Sequence, residues 1–119
     1  MEDKQKIRVG ITHGDINGVG YEVILKTFAD ATMLELCTPI VYGSPKVATF
    51  HRKSMDIQTN FCIIGTAEGA LDNKLNILNC TEDELKVELS KSTPEAGKAA
   101  LDALDRALQA YKDGLIDVL

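Results

Sequence analysis

Apolar and polar residues along this chain alternate at two different periods. Ile7-Arg8-Val9-Gly10-Ile11 predicts a strand, and Val23-Ile24-Leu25-Lys26-Thr27-Phe28 supplies the apolar side of a helix after it. Pro39-Ile40-Val41-Tyr42 predicts a second strand. A helix then starts with Ser44 as N-cap and Pro45 at the tolerant first position, and runs to about Met55. Asn60 to Ile64 and Lys74 to Asn79 read as short strands. Gly65 to Asn73 reads as the loop between them, and acidic Thr81-Glu82-Asp83-Glu84 as a solvated connection.

The strongest helical signal comes last. Thr93 is placed to cap, Pro94 to open the first turn, Glu95 to complement the positive helix end and Gly114 to stop the helix. Ala100, Leu104, Ala107, Leu108 and Tyr111 fall on one face, which we assign to the core. Asp102 and Arg106 form an i,i+4 pair on the other face. Small alanines and Gly97 allow close approach to a sheet. Strands alternating with helices, without repeats, imply an α/β fold of three layers around a largely parallel sheet.

Composition narrows the class. The chain is 45% hydrophobic and 26% charged, with no apolar run near the ~20 residues that a membrane span needs and no signal-peptide core behind Met1-Glu2-Asp3-Lys4-Gln5-Lys6. A cytoplasmic protein is expected, with no membrane partner. A net charge of −5 argues against a nucleic-acid partner, which requires clustered cations. His51-Arg52-Lys53 reads as a solvated helix end without a functional role. Cys37, Cys62 and Cys80 are widely spaced and form no C-x-x-C, so they read as buried thiols rather than as a disulfide framework or zinc site. The two histidines, His13 and His51, stand apart from any ligand-spaced set of Cys and carboxylates, and no metal ligand is assigned in this chain.

Candidate chemistry concentrates in Thr12-His13-Gly14-Asp15-Ile16-Asn17-Gly18-Val19-Gly20-Tyr21-Glu22, a glycine-rich loop between the first strand and the first helix. Its glycines permit a tight turn and close approach to a ligand. Their spacing is neither that of G-x-G-x-x-G nor that of a P-loop. Two readings therefore stand: a ligand-binding turn, or a plain strand-to-helix turn whose helix is capped by Asp15 or Asn17.

The loop resembles the G-D-P-x-G-I-G-P-E signature of 4-hydroxythreonine-4-phosphate dehydrogenases, with Gly14, Asp15, Gly18, Gly20 and Glu22 at matching positions and Val19 in place of isoleucine. It departs at Ile16 and Tyr21, where that family has proline. Ser92-Thr93-Pro94-Glu95-Ala96-Gly97-Lys98-Ala99-Ala100 resembles the family's S-x-E-A-G-x-x-A helix start, and Gly114-Leu115-Ile116-Asp117-Val118-Leu119 its G-x-I-D-A-L-V-T-A-P-I strand.

The resemblance implies the isocitrate/isopropylmalate dehydrogenase-like fold and a homodimer. It also implies oxidation of 4-phosphohydroxy-L-threonine by NAD to a β-keto acid, which decarboxylates to 3-amino-2-oxopropyl phosphate in pyridoxal phosphate synthesis. Such chemistry draws on a divalent metal as Lewis acid and a nicotinamide as hydride acceptor. By the same resemblance the metal ligands and catalytic residues lie beyond residue 119, and Gly14, Asp15, Gly18, Val19 and Gly20 border the cofactor. The chain is thus expected to be the N-terminal part of a single larger α/β dehydrogenase, truncated within a strand at Ile116-Asp117-Val118-Leu119. Three alternatives remain: a D-threonate or D-erythronate 4-phosphate dehydrogenase, a phosphate acyltransferase of similar fold, or a non-catalytic α/β binding module.

Overall fold

A computed structural model describes residues 6–80 and 93–119. Its elements run β1 (Ile7–Thr12), α1 (Gly20–Thr27), α2 (Ala31–Leu36), β2 (Cys37–Gly43), α3 (Pro45–Ser54), β3 (Cys62–Ile64), β4 (Asn76–Asn79) and α4 (Pro94–Lys112), with a short 3-10 turn at Ala67–Gly69. The strands form one parallel sheet in the order β1-β2-β4-β3. In register, Ile7 lies beside Cys37 and Thr12 beside Tyr42. Val118 makes a parallel bridge to Val9 on the other side of β1.

Period-two alternation along β2 separates the two cores. Val41, with Ile77 of β4, packs with Ile24, Leu25, Val47 and Ala48 of α1 and α3, whereas Ile40, Tyr42 and Leu78 pack with Ala103, Ala107 and Ala110 of α4. The three-layer α/β arrangement expected from the sequence is therefore present. Because every strand is parallel, the loop after β1, the β2–α3 joint and the end of β4 gather at one edge, the carboxyl edge where α/β sheets meet ligands.

Caps account for the helix starts. Ser44 accepts a hydrogen bond from the Val47 N–H and Thr93 from the Ala96 N–H, each followed by proline, as expected. Gly114 takes a φ of +77° just past α4, a left-handed conformation that suits glycine. Asn76 is an anchor without an obvious sequence signal. It is fully buried, and its amide donates to the carbonyls of Pro39, Leu71 and Lys74 at 3.0–3.1 Å while accepting from the Leu71 N–H.

Several expectations need correction. The buried stripe of α4 is Ala96, Ala99, Ala103, Ala107 and Ala110, while Leu104, Leu108 and Tyr111 are exposed. Only methyl-sized side chains let the helix axis settle against β2 and β4, so the small residues win the sheet-facing side and the leucines turn outward. Asp102 pairs with Lys98 at 3.0 Å rather than with Arg106. The third strand is confined to Cys62–Ile64 and the fourth to Asn76–Asn79, and α2, capped by Asp30, was not anticipated. The cysteines are half-buried and free. Thr81-Glu82-Asp83-Glu84 lies outside the described residues. Among the described residues no helix is long and apolar enough to cross a membrane.

Candidate functional site

The glycine loop leaves β1 at Thr12 and enters α1 at Gly20. Gly14 turns the chain with a φ of +66°. Asp15 then organises a small turn, its side chain accepting the Asn17 N–H at 2.9 Å and its carbonyl accepting the Gly18 N–H at 3.0 Å. A Cβ on Gly20 would lie 2.6 Å from the His13 carbonyl oxygen, so close approach of two backbone segments demands glycine there. Gly18 has room for a Cβ, the nearest atom lying at 3.5 Å, and the fold does not require glycine at that position.

Capping by Asp15 or Asn17 does not occur. Val19 occupies the N-cap position of α1 and no side chain caps the helix. Val19 is 67% exposed, so helix-start packing does not explain it either. Gly14, Asp15, Gly18, Val19 and Gly20 are thus brought together in one turn at the carboxyl edge, with an apolar side chain and the opening N–H groups of a helix at its surface.

Beneath this turn lies a buried polar cluster. His13 is fully buried, with Nδ1 2.9 Å from the Tyr21 hydroxyl and Nε2 3.0 Å from the Ala99 carbonyl oxygen of α4. A carbonyl only accepts, so Nε2 carries the proton, and the Tyr21 hydroxyl donates to Nδ1. That hydroxyl also accepts the Ser44 N–H at 2.8 Å. From α3, His51 donates Nε2–H to the Ile16 carbonyl at 2.7 Å and stacks on the Tyr21 ring at 5.6 Å between centroids. Ile16 is itself fully buried. Ile16 and Tyr21, the two departures from proline, are therefore built into the core.

His51-Arg52-Lys53 closes α3 as expected, with Lys53 exposed, but its first two residues are not solvated. His51 is buried, and Arg52 donates to the Thr59 carbonyl at 3.2 Å with its guanidinium 4.9 Å from the Phe61 ring centre. Sequence reading overlooked His13, Tyr21 and His51 as a group. The available signal was aromatic and histidine side chains flanking a glycine turn, together with the chain's only other histidine near a helix end.

Burial pushes the His13 imidazole below its usual 6.5, opposed in part by the hydrogen bond to Ala99, and pushes the Tyr21 phenol upward. The unfolded chain takes up the His13 proton first as pH falls. This histidine's contribution to stability is therefore complete above pH 6.5 and declines below it toward the folded-state value. Carboxylates lose stability in acid as well, so the check is a comparison. Relative to His13→Gln, the wild type is expected to lose up to about 1.4 kcal/mol more per pH unit across that window in urea unfolding. Parallel pH profiles would refute a buried neutral His13.

A family model described as the pyridoxal phosphate biosynthetic protein PdxA matches residues 35–119. The chain belongs to the PdxA family. The glycine loop lies ahead of the matched span, but other PdxA-like proteins cover it. The chain is 68% identical over 117 residues to a 4-hydroxythreonine-4-phosphate dehydrogenase of Bacteroides thetaiotaomicron, across 98% of this chain and 32% of that protein. It is 31% identical to a Clostridium botulinum protein named, provisionally, as a D-threonate 4-phosphate dehydrogenase, across 93% of this chain and 34% of that one. The crystal structure of a 4-hydroxythreonine-4-phosphate dehydrogenase from Burkholderia phymatum superimposes with a TM-score of 0.83 at 28% identity, over 97% of this chain and 36% of that one. The chain spans about a third of the length of these relatives.

Proposed function

We propose that this chain is the N-terminal part of a larger dehydrogenase that oxidises 4-phosphohydroxy-L-threonine with NAD, working as a cytoplasmic homodimer, and that Gly14, Asp15, Gly18, Val19 and Gly20 form its cofactor-side turn. The observation that carries this reading is the 68% identity to the Bacteroides thetaiotaomicron 4-hydroxythreonine-4-phosphate dehydrogenase across 98% of the chain. The turn's role is supported by its place at the carboxyl edge, its exposed Val19 and the uncapped start of α1.

NAD, when bound, supplies the hydride acceptor. The residues of this chain bind and orient. Gly18 keeps the outer face of the turn free of a side chain, Val19 offers apolar surface, and the α1 N–H groups present partial positive charge. Asp15 holds the turn in shape. A divalent cation, as Lewis acid on substrate oxygens, finds no ligand set among the described residues. No group of three or more His, Cys, Asp or Glu gathers there, and both ring nitrogens of His13 are engaged. The likeness to 4-hydroxythreonine-4-phosphate dehydrogenases supports placing the cation's ligands outside this chain.

The likeness to the Clostridium botulinum protein favours a second reading, in which the substrate is D-threonate 4-phosphate. Both readings are tested by assaying NAD reduction, with divalent metal added, for the complete gene product and for the 119-residue chain alone. The complete protein is expected to turn over 4-phosphohydroxy-L-threonine in preference to D-threonate 4-phosphate, and the chain alone to turn over neither. The reverse preference would install the second reading, and turnover by the chain alone would overturn the division of labour.

A further inference from the structure

The rings under the glycine loop do more than fill space. Tyr21 sits in the first turn of α1, yet its hydroxyl reaches the β2–α3 joint, where it accepts the Ser44 N–H at 2.8 Å. His13, at the other end of the loop, ties the same hydroxyl to the Ala99 carbonyl of α4. His51 of α3 stacks on the Tyr21 ring and holds the middle of the loop by the Ile16 carbonyl. The start, middle and end of the turn are thus each pinned to a different element of the fold. Gly43 completes the fit, because a Cβ there would lie 2.2 Å from the Tyr21 hydroxyl oxygen and 2.8 Å from His13 Nδ1.

We infer that Tyr21, His13 and His51 are positioning residues that hold the glycine turn in its ligand-ready shape from below. The inference deepens the proposed function and rests on its reading of the turn as the cofactor-side surface. The outer residues of the turn cannot supply this rigidity alone. Gly14, Gly18 and Gly20 are flexible by nature, Val19 is exposed, and the Asp15 contacts are local to the turn. A shape that must be held before the cofactor arrives has to be imposed by groups with fixed geometry. Three buried rings with directional hydrogen bonds provide it. The groups facing His13 are uncharged when it is neutral: the Tyr21 hydroxyl from α1 and the Ala99 carbonyl from α4, with the His51 ring beyond Tyr21. Neutral His13 also fixes the direction of the chain of bonds, from Ser44 N–H to Tyr21 oxygen and from Tyr21 O–H to His13 Nδ1.

The test reads the turn and the cofactor separately. In the complete protein, amide hydrogen exchange at Asn17 and Gly18, whose N–H groups close the turn on Asp15, is compared with exchange at Ala103 and Ala107 in α4. Tyr21→Phe keeps the ring and removes the hydroxyl. It is expected to speed exchange in the turn about tenfold more than in α4. Equal acceleration in both places, or none in the turn, would overturn the positioning role.

Should Tyr21→Phe not fold, His51 provides an independent pair. His51→Leu is expected to speed turn exchange selectively, and His51→Gln, which retains an N–H donor, to restore it. Failure of that rescue would overturn the proposal equally. In the complete enzyme, Tyr21→Phe is expected to raise KM for NAD with kcat little changed. Selective loosening of the turn without any change in KM would leave the positioning role intact and remove the cofactor reading.

Discussion

Gly43→Ala is expected to cost about 2–4 kcal/mol of folding stability, a large effect for adding one methyl group. The new Cβ would stand 2.2 Å from the Tyr21 hydroxyl oxygen, and both Tyr21 and His13 are buried. If Tyr21 moves, the Ser44 N–H and His13 Nδ1 lose their partner in a region that water does not reach. If the backbone moves instead, the end of β2 leaves its register with β4, where Gly43 pairs with Asn79. The penalty is therefore overpacking plus stranded polar groups. Removing the hydroxyl should relieve part of the clash, so Gly43→Ala with Tyr21→Phe should be less destabilised than the sum of the single variants, by at least about 0.5 kcal/mol. Chemical denaturation of the four species measures this. Additive losses would mean that the clash is absorbed elsewhere.

How much of this was legible in the residues varies by element. The strand-glycine-helix succession from Ile7 to Phe28 was readable because both periods and the glycine punctuation are local, and Ser44-Pro45 and Thr93-Pro94 announced their helices through side chains that cap within three residues. The sheet-facing stripe of α4 was misassigned because hydrophobicity alone favours leucine over alanine, whereas the sheet selects by size. Six-residue α2 carried too few turns for a period to show. The loop's glycines exposed the candidate site, but what holds it did not show. His51 meets Ile16 across 35 positions and His13 meets Ala99 across 86, and contacts of that range leave no mark on local spacing.

Val19→Asp in the complete enzyme is expected to have the largest effect on function with the least on folding. Val19 is 67% exposed in this chain, so an ionised carboxylate there stays solvated and the fold should tolerate it. Cofactor docking against the turn would change that. The carboxylate would lose its water at a cost of several kcal/mol as the cofactor docks. Each ~1.4 kcal/mol of lost transition-state stabilisation is about tenfold in rate, so kcat/KM for NAD is expected to fall by at least about that factor.

The deciding measurement pairs thermal unfolding with steady-state NAD kinetics on one preparation of Val19→Asp. An unchanged unfolding midpoint with a kcat/KM for NAD reduced about tenfold or more is the result this account predicts. Unchanged NAD constants in folded enzyme would contradict it, and would leave the loop a buttressed turn with no cofactor beside it.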